Sequence, residues 1–507
     1  MQRPKTFKFI AAFFASTFLC MPSFGNPSAL LNDPNGGPEV AIVEEALGSL
    51  PSSDEVDAPN KTVSLQETLE QTYMQNTDLD AARAGLRATD ETVSQANAEW
   101  RPSLSVSGTQ QQTQSYPIGS ETISGRRAHN SSTSYSANIA QNIYRGGGTE
   151  ATIGQRESEV LGGRAGLFNQ EQATLLTGIQ SHTSVLTTEA IANYLKKKVD
   201  FYRNSLERAQ VRFEVGEGSR TDVEAMKGQY EGAKADFSKA LGEYESAKAT
   251  YLRQVGSPAG NLAPANVILP LPKKYSDALE VAKAHNPVIL QARYALEAAE
   301  YNVNVQTSEL LPKVDVNASA GNNRNGGTGN VGHPKRTNLM FNTTVNVPIY
   351  LQGIPNSRIR EAYQTVAQQK VNLVGAQRQV VEAIKTAWDN LIAARESVKG
   401  YLAQVKAQML AVEGAVEEVN VGTKTMLDVE QLETNLVDAQ INLANAQQTL
   451  IVAGYQVLQA MGRLTARDLR LNVKYYDPDA YYNEYKNAWI QFWQGKDLRY
   501  VKDGDPK

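Results

Sequence analysis

Two hydrophobic rhythms alternate along this chain. Met226, Tyr230, Ala233, Phe237, Ala240, Tyr244, Ala247 and Tyr251 step by four and three residues in turn. Leu432, Leu436, Ala439, Leu443, Ala446 and Leu450, then Val457 and Met461, keep the same beat. That mean period of about 3.5 residues predicts helices with a coiled-coil seam. A helix packed on a globular core gives a similar stripe, but heptads sustained this long favour supercoiling. A longer helix precedes each, from about Thr149 to Glu214 and from about Asn356 to Asn420. At ~1.5 Å per residue each spans roughly 95–100 Å, about three bilayer cores. Val215, Gly216, Glu217 and Gly218 separate the first pair and Val421, Gly422, Thr423 and Lys424 the second; the returns begin at Asp222 and Asp428. Glycine takes the left-handed backbone that ends a helix. The segments therefore predict two long hairpins with their tips at one end.

The second rhythm has period two. Leu104 and Val106 alternate with Ser103, Ser105 and Ser107; Tyr135, Ala137, Ile139 and Ile143 with Ser134, Ser136, Asn138 and Asn142. Val314, Val316, Ala318 and Ala320 alternate with Asp315, Asn317 and Ser319; Leu339, Phe341, Val345, Val347 and Ile349 with Asn338, Asn342, Thr344 and Asn346. An apolar face backed by Ser, Asn and Thr is the pattern of a transmembrane barrel, lipid outside and water inside. A soluble two-layer sheet alternates in the same way. Lysine and arginine are absent from these strands, except Lys313 at an entrance, and Gly321 to Lys335 reads as a Gly/Asn-rich loop. Four strands cannot close a barrel, since the smallest have about eight and open edges are forbidden in lipid. A membrane reading therefore requires an oligomer; three copies would supply twelve strands.

The chain is written twice. Thr68-Leu69, Asn76, Leu79, Glu99 and Pro102 recur 210 residues later as Ala278-Leu279, Asn286, Ile289, Glu309 and Pro312. Beyond the strands the offset becomes 206, relating Ile143-Tyr144 to Ile349-Tyr350, Gly216 to Gly422, Asp222-Val223 to Asp428-Val429 and Gly256 to Gly462. The register changes in a Gly/Asn/Ser-rich stretch, where insertions cost little. The expected organisation is a segment 1–25, a segment 26–60, repeat one over 61–256 with strands near 102–145 and a tip near 215–221, a linker 257–274, repeat two over 275–462 with strands near 312–350 and a tip near 421–427, and a terminal segment 463–507.

Residues 1–25 read as a signal peptide. Arg3, Lys5 and Lys8 precede an apolar run from Phe9 to Leu19, and Ser23 and Gly25 suit cleavage. Removal changes the formal net charge from -4 to -7, because three cations and no anions leave. With no basic run, nucleic acid is a poor partner. Cys20, the only cysteine, lies inside that segment behind Phe18 and Leu19, unlike a lipoprotein signal. A mature chain without cysteine has no disulfide, thiol nucleophile or cysteine-ligated metal. No other stretch of about 18 apolar residues occurs. Residues 26–60 form an acidic leader expected to be disordered. Tyr475 to Trp493 reads as a collar against the helices rather than a membrane-interface belt, because it lies far from the strands in the chain.

Candidate chemistry is thin. Gly327-Thr328-Gly329-Asn330-Val331-Gly332 spells a dinucleotide fingerprint, but no helix opens after it and Pro334 intervenes. His129, His182, His285 and His333 lack the spacing of a zinc site and read as scattered surface residues. No nucleophile elbow or paired carboxylate stands out. The chain is thus expected to be no enzyme and to need no cofactor.

Taken together, Leu65 to Leu79, Glu99-Trp100-Arg101-Pro102-Ser103-Leu104, Val347-Pro348-Ile349-Tyr350 with Gly353, Phe213 to Val223 and Val421-Gly422 to Val429 resemble the outer-membrane efflux protein family of TolC-type channel-tunnels, over about Val63 to Gly462. The resemblance implies an α+β membrane protein: a long α-helical coiled-coil barrel joined to a transmembrane β-barrel, four strands per protomer, internally duplicated and trimeric. It also implies a passive duct from periplasm to exterior, exporting proteins or small toxic molecules. The implied partners are outer-membrane lipid, a periplasmic membrane-fusion adaptor, and an inner-membrane ABC or proton-driven transporter. The tips, Val215, Gly216, Glu217, Val421, Gly422 and Thr423, would dock the adaptor. In the family a basic residue latches to a Thr-Asp pair, which falls here on Lys424, Thr221 and Asp222. Asp428 matches one acidic constriction ring. The second ring position is Gln431, with Glu430 adjacent, and the family's latch tyrosine falls on Val419. Asp222 and Asp428 would also serve as N-caps. A trimeric surface coiled-coil adhesin is the alternative, but it calls for one barrel region at one terminus.

Overall fold

Among the described residues of the computed structural model the heptads and alternations become α1 Leu65–Gln75, α2 Thr77–Ala98, β1 Ser103–Ser115, β2 Ala128–Arg145, α3 Gly148–Glu214, α4 Arg220–Val255, α5 Tyr275–His285, α6 Pro287–Ser308, β3 Lys313–Gly327, β4 Lys335–Asn346, α7 Ile354–Asn420, α8 Met426–Ala460 and α9 Pro478–Tyr485. The structure describes residues 62–115, 128–265, 271–272, 274–327, 335–421 and 423–489, all within the unit Pro59–Lys507. The expected signal peptide, the whole expected leader, Thr328 to Pro334, Gly422 and Trp493 lie outside them. Among the described residues no helix is long and apolar enough to cross a membrane, and no His, Cys, Asp and Glu side chains gather as a metal site.

Helices α3 and α7 each run 67 residues, about 100 Å at the α-helical rise. They begin one or two residues before the positions that periodicity gives. Two consecutive left-handed residues turn each strand exit into its helix: Gly146 and Gly147 in repeat one, Gln352 and Gly353 in repeat two. The seam of α4 from Met226 to Tyr251 is buried or half-buried throughout, while most of the remaining α4 surface is exposed. α3 packs on α4, α7 on α8, and α3 on α8, so the long helices lie in the order α4-α3-α8-α7. At the α3–α8 contact the Tyr202 hydroxyl and Thr434 Oγ1 are 2.9 Å apart.

Both hairpins are tied down by the same device. Asn76 breaks α1 from α2: its side-chain oxygen accepts from the backbone N–H groups of Asp78 and Leu79, and its Nδ2 donates to the Gln254 carbonyl at 2.8 Å. Asn286 separates α5 from α6, accepts from Val288 N–H, and donates to the Ala460 carbonyl at 2.9 Å. The contacts that pin each kink to the end of its return helix are related by the two offsets of the duplication. Glycines with positive φ follow at Gly256 and Gly462.

The surroundings of these kinks differ between repeats. Repeat one buries a polar chain: the Tyr251 hydroxyl lies 3.0 Å from Thr68 Oγ1, which lies 2.8 Å from His182 Nδ1, and His182 Nε2 is 3.0 Å from the Ala263 carbonyl. A carbonyl only accepts, so Nε2 carries the proton and Nδ1 accepts from Thr68. His182 is therefore a fully buried core residue (0% exposed) rather than the surface histidine its spacing suggests. Burial pushes its pKa down. Repeat two fills the matching positions with Ala278, Trp388 and Val457, part of an apolar cluster with Ile384 and Leu391.

The four strands form one antiparallel sheet in the order β1-β2-β3-β4, leaving β1 and β4 as its edges. The strands reach 12 to 18 residues, longer than the ~9–11 needed to cross a bilayer with tilt. The extra length corrects two expectations. Gly321 to Gly327 continues β3 instead of opening the loop, and Arg145, Arg324, Lys335 and Arg336 join Lys313 within the strands. Polar residues extend the ladder because its backbone bonds need no apolar face.

Candidate functional site

Antiparallel pairing places directly opposed residues on one face. Leu104 faces Ile139, which faces Ala318, which faces Phe341; Val106, Ala137, Ala320 and Leu339 form the next row. Two apolar rows thus cross all four strands. The rows between them, Ser105-Asn138-Ser319-Met340 and Ser107-Ser136-Gly321-Asn338, put mostly polar groups on the other face. A bulge between Asn142 and Tyr144 sets Tyr144, not Ile143, opposite Val314, so strict alternation fails at the strand's last turn. Among the described residues nothing covers the apolar face: Leu104 is 70% and Leu339 82% exposed.

The tips repeat one design in both hairpins. α3 ends with the Glu217 N–H donating to the Arg212 carbonyl (2.8 Å), and α7 with the Thr423 N–H donating to the Glu418 carbonyl (2.9 Å). Gly216 has φ 79°, which accounts for a glycine there. The return helices open with capping boxes. Ser219 Oγ accepts from Asp222 N–H while the Asp222 carboxylate accepts from Ser219 N–H (3.1 and 3.2 Å). The Asp428 carboxylate accepts from both Thr425 N–H (2.9 Å) and Thr425 Oγ1 (2.7 Å). The caps are therefore Ser219 and Thr425. Both helices start two residues before the aspartates, which places Asp222 and Asp428 at the third helical position. The two Thr425 hydrogen bonds, with Lys424 nearby, hold the Asp428 carboxyl below the usual carboxylate range.

Within the protomer Lys424 Nζ pairs with Glu418 at 2.7 Å, across its own turn. Glu418 escaped the sequence reading because its role comes from the turn closing over six residues, not from a motif. Thr221 and Asp222 are exposed on the neighbouring hairpin. Asp428 and Gln431 are exposed on one face of α8; Glu430, 4% exposed, is turned into the packed side, where burial raises its pKa. Residues two apart on a helix point about 200° apart, so Glu430 does not substitute for Gln431 beside Asp428. Val419 is half-buried near the end of α7. Val215 and Val421 are exposed apolar groups beside Glu217 and Thr423 at the tips.

The residues 475–489 pack along α2 and α3. Tyr481 donates to Glu91 at 2.7 Å, Tyr482 to Glu157 at 3.3 Å, and Arg164 pairs with Asp479 at 2.6 Å.

A family model described as "Outer membrane efflux protein" matches residues 68–256 and 278–463, the two repeats. The outer membrane efflux protein BepC of Brucella suis biovar 1 (strain 1330) is 32% identical over 84% of this chain and 91% of its own. The outer membrane protein TolC of Escherichia coli (strain K12) is 25% identical over 80% of this chain and 83% of its own. The solved Campylobacter jejuni CmeC outer membrane channel superposes with a TM-score of 0.67 at 15% identity, covering 83% of this chain and 89% of that one.

Proposed function

This chain belongs to the outer membrane efflux protein family, and we propose that three copies of it form a passive duct spanning the outer membrane and the periplasm. The unpaired sheet edges carry this reading. β1 and β4 each leave a row of backbone groups unbonded, and the sheet turns an apolar face outward with nothing to cover it. In lipid such a sheet exists only as part of a closed barrel, and in water the same face would aggregate. A ring of copies satisfies both demands: polar face to a water-filled lumen, apolar face to outer-membrane lipid. The helix layer supports the same closure. Leu402, Met409 and Val416 recur at steps of seven along α7 and are exposed in the protomer, a seam ready for a neighbour's helix.

Energy for export comes from elsewhere in this scheme. The tips, with exposed Val215 and Val421, dock a periplasmic adaptor, and an ABC or proton-driven transporter in the inner membrane drives proteins or small toxic molecules into the tunnel. Closure is assigned to Lys424, Thr221 and Asp222. The Lys424–Glu418 pair is solvent-exposed and so contributes only ~0–1 kcal/mol, which makes exchange of Glu418 for Asp222 cheap. Asp428, exposed and held ionised, supplies negative charge at the constriction.

The test is electrical. In planar bilayers Asp428→Ala raises single-channel conductance or weakens cation preference; a channel with unchanged conductance and selectivity removes Asp428 from the constriction. Lys424→Glu increases antibiotic leakage into cells, and no increase argues against the latch.

A further inference from the structure

The strap of residues 475–489 reaches the foot of the sheet, where Arg101 meets Ala488, 387 residues away in the chain. Its contacts climb α2 in step: Tyr481 bonds Glu91, Ser94 donates to the Tyr485 carbonyl at 3.3 Å, Asn97 to the Lys486 carbonyl at 3.2 Å, and Arg101 to the Ala488 carbonyl. The strap therefore advances toward β1, which begins at Ser103. There Trp489 is laid over the Arg101 guanidinium, 5.3 Å from ring centroid to Cζ. Trp489 is nonetheless 67% exposed, and Trp100 beside Arg101 is also open. An indole fixed in place by its backbone and a cation, yet uncovered, is a surface built for something outside the protomer.

The duplication indicates what that is. Trp100 and Arg101 correspond to Leu310 and Leu311 in repeat two, both exposed at the matching strand foot. Repeat two thus presents two apolar side chains just below the apolar rows. Repeat one has an arginine in the second position, and the strap covers it with an indole. We propose that the strap is a membrane-interface anchor, seating Trp489 and Trp100 in the head-group layer of the periplasmic leaflet of the outer membrane. The inference rests on the barrel reading above. Tryptophan prefers that layer because its ring is apolar and its N–H is polar, and Arg101 beneath offers a charge to lipid phosphate. Tyr481, Tyr482 and Asp479 hold the lower strap to the helices; Trp489 does a different job.

Quenching by brominated lipid tests this. Purified protein would be reconstituted in phosphatidylcholine vesicles brominated either near the head group or near the chain end. The protein would retain Trp489 alone, with Trp100, Trp388 and Trp493 replaced by phenylalanine. A second measurement, the difference between wild type and Trp489→Phe, covers the case where the triple variant folds poorly. Trp489 emission should be lost to head-group bromine more than to chain-end bromine. A Phe341→Trp probe, in a background with all four native tryptophans replaced by phenylalanine, reports the sheet face. If Phe341→Trp is quenched and Trp489 is not, the anchor is overturned and the barrel stands. If Trp489 is shielded from lipid and acrylamide alike, a neighbouring protomer covers it and the proposal also fails. If neither probe is quenched, the barrel reading itself falls.

Discussion

Asp90 lies on α2 with 3% of its surface exposed and neither carboxylate oxygen hydrogen-bonded. Burial, opposed by Arg164 and Arg87 and aggravated by Asp479 and Glu91, pushes its pKa up to about 6. The sign follows from which state holds the proton. Between the ordinary carboxylate value and 6 the folded chain keeps a proton that the unfolded chain has lost, so stability falls as pH rises through that window. Above it the buried charge costs about 3 kcal/mol at ~1.4 kcal/mol per unit. Asp90→Asn should therefore raise the thermal midpoint at about pH 8 and flatten its pH dependence between about pH 4 and 7. An unaltered slope would mean that Asp90 is hydrated in solution. Nothing in the sequence distinguishes this aspartate from Asp78 or Asp80, both acidic residues of the same helix's first turn. Arg164 of α3 and Asp479 of residues 475–489 are among its neighbours, and local pattern carries no information about segments so far away in the chain.

At the scale of elements, the glycines separate two demands. Gly353 has φ 79° with open space where a Cβ would stand, whereas at Gly462, φ 74°, a Cβ would fall 2.8 Å from the His285 carbonyl oxygen. Gly353→Ala should cost about 1–2 kcal/mol for left-handed backbone alone. Gly462→Ala should cost about 1–3 kcal/mol more, because backbone against backbone has little room to relax. Thermal denaturation followed by helical circular dichroism would rank them; equal midpoints would show that the α5–α6 kink yields. The hairpins were legible because heptads, turn glycines and alternation are local signals, repeated twice. The N-caps were legible in kind but three residues off in place, since Ser219 and Thr425 before the aspartates take the cap position. His182 was misplaced because one polar residue on a helix says nothing about which face the neighbours will cover. At the tips, pattern and resemblance single out Lys424 and Asp428 as candidates. Glu418 and the inward turn of Glu430 emerge only once the chain is folded.

For the whole molecule, sheet and helix layer pose one closure problem. Strands run β1-β2-β3-β4 and helices α4-α3-α8-α7, so both layers end on elements from opposite halves of the duplication. An interface joining one end of a protomer to the other end of the next is head-to-tail, and it closes into a ring if the rotation divides a full turn. The duplication supplies the register. Inside the protomer Tyr202 of α3 meets Thr434 of α8. Moved by the 206-residue offset in opposite senses, those positions become Gln408 of α7 and Gly228 of α4. If the ring is pseudo-symmetric, Gln408 of one copy faces Gly228 of the next. A Cβ at Gly228 would meet nothing within 4 Å, so a cysteine fits, and replacing Cys20, the single cysteine of the sequence, by serine makes the background thiol-free. The double variant Gln408→Cys, Gly228→Cys, treated in membranes with a short bismaleimide, should give dimer and trimer bands on denaturing gels, and each single variant only monomer. A ladder stopping at dimer would exclude three copies, and no ladder at all would mean that α4 and α7 are not the edges that meet.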